Sequence, residues 1–116
     1  DLLIHCGRAI PEGVAALISR KSGGPRYLCW IHGEDLAMAE SSRELSWMTT
    51  AVLRGADLVY ANSRNTMAFA QRFGVTEDRV AVAHPGVDCE RFTPKLDGSA
   101  IRERHQLGIG PVVLSV

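Results

Sequence analysis

The feature that most constrains the fold of this chain is the apolar run Leu28-Cys29-Trp30-Ile31, which lies within a predicted strand from Tyr27 to His32. Apolar residues that follow one another without polar alternation are typical of a strand buried on both faces. Such strands occur in parallel sheets that are covered by helices. Shorter strands are predicted over residues 2–6, 57–61 and 79–83. The sequence therefore predicts an α/β fold with a mostly parallel sheet and helices on both faces.

Amphipathic helical segments separate these strands. Pro11 suits the first turn of a helix that the run Ser22-Gly23-Gly24-Pro25 ends. A longer helix is predicted from Ala39 to Arg54, and a third follows Asn62 or Ser63, either of which can cap it. Because strand–helix–strand crossovers are right-handed, three in succession predict parallel neighbours. The predicted apolar face of the first helix comprises Val14, Leu17 and Ile18. The predicted packed face of the third helix comprises Thr66, Phe69, Ala70 and Phe73.

The last quarter of the sequence has a different character. Residues 90–110 are polar, with a short predicted helix over residues 101–107, and a new strand is predicted at residues 112–116. The first residues are also strand-like. We therefore expect the chain to be a segment of a longer parent protein.

Composition excludes some classes of function. Thirteen basic and thirteen acidic residues cancel, so there is no electrostatic footprint for nucleic acid. No apolar run approaches the roughly 18 residues of a membrane span. Cys6, Cys29 and Cys89 are widely spaced, which favours reduced thiols in a cytoplasmic protein. A zinc site formed by Cys29, His32, His84 and Cys89 is the disfavoured alternative, because no second closely spaced Cys/His pair exists.

Polar residues follow the predicted strands, at the edge where open α/β sheets bind ligands. His32 is the strongest candidate for catalysis because imidazole donates, accepts or transfers protons near neutral pH; a strand-end histidine bonded to a backbone carbonyl is the equal alternative. Candidate binding residues are Gly33, Glu34, Asp35, Asn62, Ser63, Gly86, Val87 and Asp88. The alternative role for Glu34, Asp35, Asn62 and Ser63 is to cap the helix that follows them. The alternative for Asp88 is to cap a turn through its side chain.

Familiar cofactor motifs are missing from the sequence. No G-x-G-x-x-G, P-loop, G-x-S-x-G or H-E-x-x-H pattern is present. Trp30 and Trp47 are interpreted as core residues rather than stacking platforms. A nicotinamide-dependent oxidoreductase is therefore disfavoured.

The order of these segments resembles the family 4 glycosyltransferases of GT-B fold. The similarity rests on His32-Gly33-Glu34-Asp35 after a strand, and on the long helix that follows. It includes residues 56–63, which are a strand and the residues that cap the next helix. It continues with Phe73-Gly74-Val75 and with Pro85-Gly86-Val87-Asp88, followed by Phe92 and Pro94. The family typically has Pro-Asn-Gly-Val-Asp where this chain has His84-Pro85-Gly86-Val87-Asp88.

The resemblance implies a Rossmann-like domain that is part of a two-domain enzyme. Residues 1–90 would be the later part of the amino-terminal, acceptor-side domain, residues 91–111 the connection, and residues 112–116 the first strand of the carboxy-terminal domain. It implies transfer of a hexosyl unit from a nucleotide sugar, with retention and without a metal or other cofactor. His32 would orient the transferred sugar, Gly33, Glu34 and Asp35 would lie on the acceptor side, and Gly86, Val87 and Asp88 near the domain crossover.

The expected partners are a nucleotide-sugar donor, an acceptor that is a sugar, a lipid or a small molecule, and the carboxy-terminal domain in the same chain. The parent protein would be cytoplasmic, with peripheral association at the cytoplasmic face of the membrane left open, and would act in glycan, glycolipid or cell-envelope synthesis. Residues that neutralise the leaving diphosphate would follow residue 116, so the isolated chain is predicted to be inactive. The alternative function is a free-standing flavodoxin-like binding or signalling module.

Overall fold

The computed structural model describes residues 2–115, which divide into two compact units with the boundary along the chain between Pro85 and Gly86. The first unit contains a sheet of four parallel strands in the order β1-β2-β3-β4. These strands are β1 Leu3–Cys6, β2 Arg26–Ile31, β3 Leu58–Ala61 and β4 Val80–Val82. The predicted parallel α/β sheet is thus confirmed.

Four helices connect the strands. They are α1 Val14–Lys21, α2 Glu34–Glu40, α3 Arg43–Gly55 and α4 Arg64–Arg72. An irregular π-type turn over Ala9–Gly13, interrupted by extended backbone at Ile10, precedes α1, and a 3₁₀ turn over Glu77–Arg79 precedes β4. The chain therefore enters α1 three residues later than Pro11 predicted.

The helix predicted over residues 39–54 corresponds to α3, but it runs across the break at residues 41–42 into the last two residues of α2. The backbone of Ser42 is extended, so the helical conformation of α2 does not continue into α3. The Ser42 hydroxyl accepts a hydrogen bond from the Leu45 N–H and thereby caps α3. The prediction also missed α2 itself, which begins directly after His32-Gly33.

Burial alternates along the strands. A row of four residues, Cys6, Cys29, Val59 and Val80, runs across the sheet and is buried. The opposite row, Trp30 and Tyr60, is only half-buried, and their rings stack with centroids 4.9 Å apart. Tyr27 lies on the buried face and its hydroxyl donates to the Val52 carbonyl of α3.

In the first unit, the buried residues of α1 to α4 pack on the face that carries Cys29. An ion pair between Arg72 and Glu40 joins α4 to α2, and the Arg79 guanidinium donates to the Arg54 carbonyl at the end of α3. We expected helices on both faces. Right-handed crossovers are the rule between parallel strands, and these strands lie in sequence order, so their connecting helices fall on the same side of the sheet.

The second unit contains one helix, α5 Ser99–Arg104, among its described residues. The Arg102 guanidinium donates to the carbonyls of Gly108 and Gly110, each at 2.9 Å, and closes the turn after α5. The strand expected over residues 112–116 is not formed at residues 112–115, because a strand needs a neighbour to pair with; Val116 lies outside the described residues.

Candidate functional site

The carboxyl ends of the parallel strands bring Gly7, His32 and Asn62 to one edge of the first unit. The His32 side chain is exposed there, and its Nε2 lies 3.2 Å from the carbonyl oxygen of Gly7. A carbonyl oxygen only accepts, so this contact is a hydrogen bond when Nε2 carries the proton. In neutral imidazole, Nδ1 is then free to accept a hydrogen bond from a ligand.

Two side chains hold the backbone of His32. Its N–H donates to Asp35 Oδ1 at 3.1 Å, and its carbonyl oxygen accepts from Asn62 Nδ2 at 3.3 Å. Gly33, next in the chain, has a φ of 90°, which residues with a Cβ rarely adopt. The sharp turn into α2 therefore depends on glycine, and it leaves His32 fixed on both sides.

Asp35 makes more contacts than a simple cap. Its Oδ1 also accepts from the Leu36 N–H at 3.0 Å, while its Oδ2 is buried and has no hydrogen-bond partner among the described residues. A buried carboxylate oxygen without a partner is unusual, because the lost hydration is not replaced. One acceptor position at this edge is thus left unsatisfied.

A small pocket lies beside His32, with a cavity volume of about 150 Å³. Its polar lining comes from Arg8, His32, Glu34 and Asp35, and its remaining lining from Ala9, Ile10, Met38, Ala39, Leu45 and Thr49. Pockets for whole small ligands are typically about 300–1,000 Å³. This pocket is large enough for part of a ligand, such as a single ring, with polar groups on one side.

Ser63 and Asn62 have separate roles at the start of α4. The Ser63 hydroxyl accepts from the Thr66 N–H at 3.1 Å, which confirms Ser63 as the cap. Asn62 reaches across to His32, and its Oδ1 accepts from the Thr66 hydroxyl at 2.7 Å. The structure thus brings together His32, Gly33, Glu34, Asp35, Asn62 and Ser63.

The remaining predicted residues, Gly86, Val87 and Asp88, belong to the second unit. Asp88 Oδ1 accepts from the N–H groups of Glu90 and Arg91, at 3.0 and 2.9 Å. The turn-capping alternative for Asp88 is therefore confirmed.

Sequence reasoning missed two residues of this edge. Arg8 lines the pocket although it follows β1 in an irregular segment without a motif. Thr66 was placed on the packed face of α4, and the signal for a polar role was its position three residues after the Ser63 cap.

Among residues 2–115, no three His, Cys, Asp or Glu side chains are grouped so that they could hold a metal ion. No helix in the same residues has the length and apolar character that crossing a membrane requires.

Comparison with known proteins adds to this geometry. The sequence model of Glycosyltransferase Family 4 matches residues 1–91, which include the whole edge around His32. The chain belongs to glycosyltransferase family 4. The resemblance inferred from the ordered motifs is thereby confirmed, and it is favoured over the flavodoxin-like module.

One curated relative is the GDP-mannose-dependent alpha-(1-6)-phosphatidylinositol monomannoside mannosyltransferase of Mycolicibacterium smegmatis. The two sequences are 36% identical over an alignment 115 residues long. The alignment covers 93% of this chain and 28% of the relative. The family 4 chain therefore spans little more than a quarter of that protein's length.

Proposed function

We propose that the parent protein transfers a hexosyl unit from a nucleotide sugar to a hydroxyl group of a glycolipid acceptor, with retention and without a metal ion. The observation that carries the proposal is the fixed, exposed His32 beside a pocket, within the residues that match the family. GDP-mannose is the proposed donor and a phosphatidylinositol mannoside the proposed acceptor, since the similar enzyme is named for these two substrates.

The proposed roles follow from the geometry of the edge. His32 orients the transferred sugar through Nδ1, the ring nitrogen that the contact with Gly7 leaves free to accept a hydrogen bond. Glu34 and Asp35 contact a ring of the acceptor in the adjoining pocket, which has room for one ring rather than for a whole glycolipid, and Gly33 carries the turn on this acceptor side. Asn62 and Ser63 support this edge, while Gly86, Val87 and Asp88 contribute at the domain crossover.

The 116-residue chain alone is proposed to be inactive. Departure of a nucleoside diphosphate requires positive charge close to the leaving oxygens. Arg8 is the one cation in the pocket lining of the described residues, and Glu34 and Asp35 line the same pocket. The parent protein is proposed to act in the cytoplasm, on an acceptor at the cytoplasmic face of the membrane.

The test uses the purified parent protein with GDP-mannose, UDP-glucose and UDP-N-acetylglucosamine in turn. Vesicles that contain phosphatidylinositol mannoside supply the acceptor, and the released nucleotide and the glycolipid product are both quantified. We expect turnover with GDP-mannose, no loss in EDTA, and an α-linked product by NMR. Absence of transfer from every donor would refute the proposed reaction, and turnover by residues 1–116 alone would refute the proposed inactivity.

A further inference from the structure

A directed chain of hydrogen bonds runs from α4 to the backbone of His32. The Thr66 hydroxyl lies 2.7 Å from Asn62 Oδ1 and 2.9 Å from the Ser63 hydroxyl, and Asn62 Nδ2 lies 3.3 Å from the His32 carbonyl oxygen. All four residues lie at the carboxyl edge of β2 and β3. The chain thus connects a buried helix residue to the exposed histidine.

The proton positions along this chain are determined by what each group can do. Asn62 Oδ1 only accepts, so the single hydroxyl proton of Thr66 points to it. The Ser63 hydroxyl proton is then the one directed at Thr66 Oγ1. The His32 carbonyl oxygen also only accepts, so the Asn62 NH₂ group faces it and the amide oxygen faces Thr66. Thr66 therefore holds the Asn62 side chain in place by donating to its oxygen.

We infer that Thr66 is a positioning residue for His32, acting through the Asn62 amide. Its side chain is 4% exposed, and its Oγ1 lies 3.3 Å from the place where a Cβ on Gly33 would stand. Thr66 thus supports both the carbonyl of His32 and the turn that follows it. The catalytic consequence rests on the proposed sugar transfer, whereas the effect on the histidine does not.

The substitution Thr66→Val removes the hydroxyl group with the least change in the shape of the side chain. Valine keeps the shape and burial of the side chain but cannot donate, so Asn62 Oδ1 loses its partner and the amide is drawn away toward solvent to find another. That movement would weaken the bond from Asn62 Nδ2 to the His32 carbonyl and loosen the backbone that carries the ring. We expect a loss of about tenfold in kcat with little change in KM for the donor, because orientation matters most in the transition state.

The experiment compares variants of the full-length parent protein. Thr66→Ser keeps the hydroxyl and should remain within about twofold of the native kcat, whereas Asn62→Asp loses the donor to His32 and should lower kcat as Thr66→Val does. Ser42→Ala is the control, since it removes a hydroxyl hydrogen bond at the start of another helix, α3, without touching the contacts of His32.

A second readout does not need activity. Long-range ¹H–¹⁵N NMR on ¹⁵N-histidine-labelled protein reports which ring nitrogen carries the proton, and His32→Gln identifies the signal. The native protein should show the Nε2–H form that the Gly7 contact requires. Thr66→Val should reduce that population, and Thr66→Ser and Ser42→Ala should not.

The outcomes separate the two proposals. A drop in kcat and in the Nε2–H population with Thr66→Val supports the inference, and the same spectral change in a parent protein that transfers no sugar supports it while refuting the proposed function. Unchanged His32 signals and a kcat equal to that of Ser42→Ala would overturn it. Should Thr66→Val fail to fold, a folded Asn62→Asp with native kcat and native signals would overturn it equally.

Discussion

The imidazole Nε2 of His32 and the carbonyl oxygen of Gly7 lie 3.2 Å apart, although 25 residues separate them in sequence. The contact exists because β1 and β2 are parallel neighbours whose carboxyl ends coincide. It gives the ring a defined orientation at the edge of the sheet. The sequence left two roles for His32 in balance, a bond to a backbone carbonyl and a contact with substrate, and the geometry allows both at once.

Replacement of Gly33 by alanine should damage the turn that carries His32. At a φ of 90° a Cβ is strained, and it would stand 3.3 Å from the Thr66 hydroxyl. We expect a loss of about 1–2 kcal/mol in the free energy of unfolding, measured with urea. Gly110→Ala is the control, because its Cβ meets nothing within 4 Å. Equal stability of the two variants would contradict the role assigned to Gly33.

Gly55 and Tyr27 should show coupled effects on stability. A Cβ at Gly55 would stand 2.6 Å from the Tyr27 hydroxyl oxygen and 2.7 Å from Leu17 Cδ1. Gly55→Ala should therefore cost about 1–3 kcal/mol through overpacking. Tyr27→Phe should cost only about 1 kcal/mol, because the Val52 carbonyl that it releases also accepts from the Ala56 N–H.

A double-mutant cycle measures this coupling. In the Tyr27→Phe background the hydroxyl oxygen is gone and only Leu17 resists the new methyl group, so Gly55→Ala should cost less than in the native protein. Strictly additive losses in urea unfolding would show that the two side chains do not meet as described.

The ion pair between Asp57 and Arg26 should make stability depend on pH. Burial acts to raise the pKa of Asp57, but hydrogen bonds from the Arg26 guanidinium, at 2.8 Å, and from the Tyr27 N–H hold it below its ordinary value of 3.8. Because the pKa of Asp57 is lower in the native protein, the unfolded chain binds the proton at a higher pH than the native protein does. The stabilisation is therefore present in full above pH 3.8 and is lost as the pH falls through the native pKa.

We expect Asp57→Asn to lower the free energy of unfolding by about 0.5–1 kcal/mol at pH 7, since Arg26 is largely exposed and solvent screens the pair. The difference from the native protein should shrink toward pH 2.5 and in high salt. A difference that grew as the pH fell would have the wrong sign for this explanation.

The three cysteines should differ sharply in reactivity. Cys6 and Cys29 are buried neighbours on β1 and β2, and burial raises the pKa of both thiols. Glu12 adds to the effect at Cys6, and Cys6, Asp35 and Glu12 add to it at Cys29. Cys89 is exposed. Iodoacetamide at pH 7.5 should therefore modify Cys89 first in the native protein, and all three after denaturation, as peptide mass spectrometry can show. Modification of Cys29 at the rate of Cys89 would contradict its placement in the sheet.

The sequence was sufficient for the sheet and for most of the edge. Apolar runs that end in polar residues located all four strands, and the parallel direction then brought the predicted His32, Asp35 and Asn62 together. The break between α2 and α3 was not predictable from helix propensity, because it depends on the Ser42 hydroxyl reaching the Leu45 N–H.

Side-chain burial was less predictable. Ile18 and Trp47 were expected to pack inside, yet they are 62% and 72% exposed. Trp47 lies about 140° around α3 from the buried Val52 at 100° per residue, so the helix turns it outward. Thr66 is the reverse case: periodicity placed it on the packed face correctly, but periodicity says nothing of the hydrogen bond that its hydroxyl makes there.

The proposed function makes the edge around His32 the place where the sugar is transferred. The most direct measurement is kcat/KM for GDP-mannose in the parent protein with His32→Ala, compared with His105→Ala, which changes an exposed histidine of the second unit. We expect a loss of about 100-fold or more for His32→Ala and none beyond about twofold for His105→Ala. An unchanged kcat/KM in a folded His32→Ala protein would contradict it.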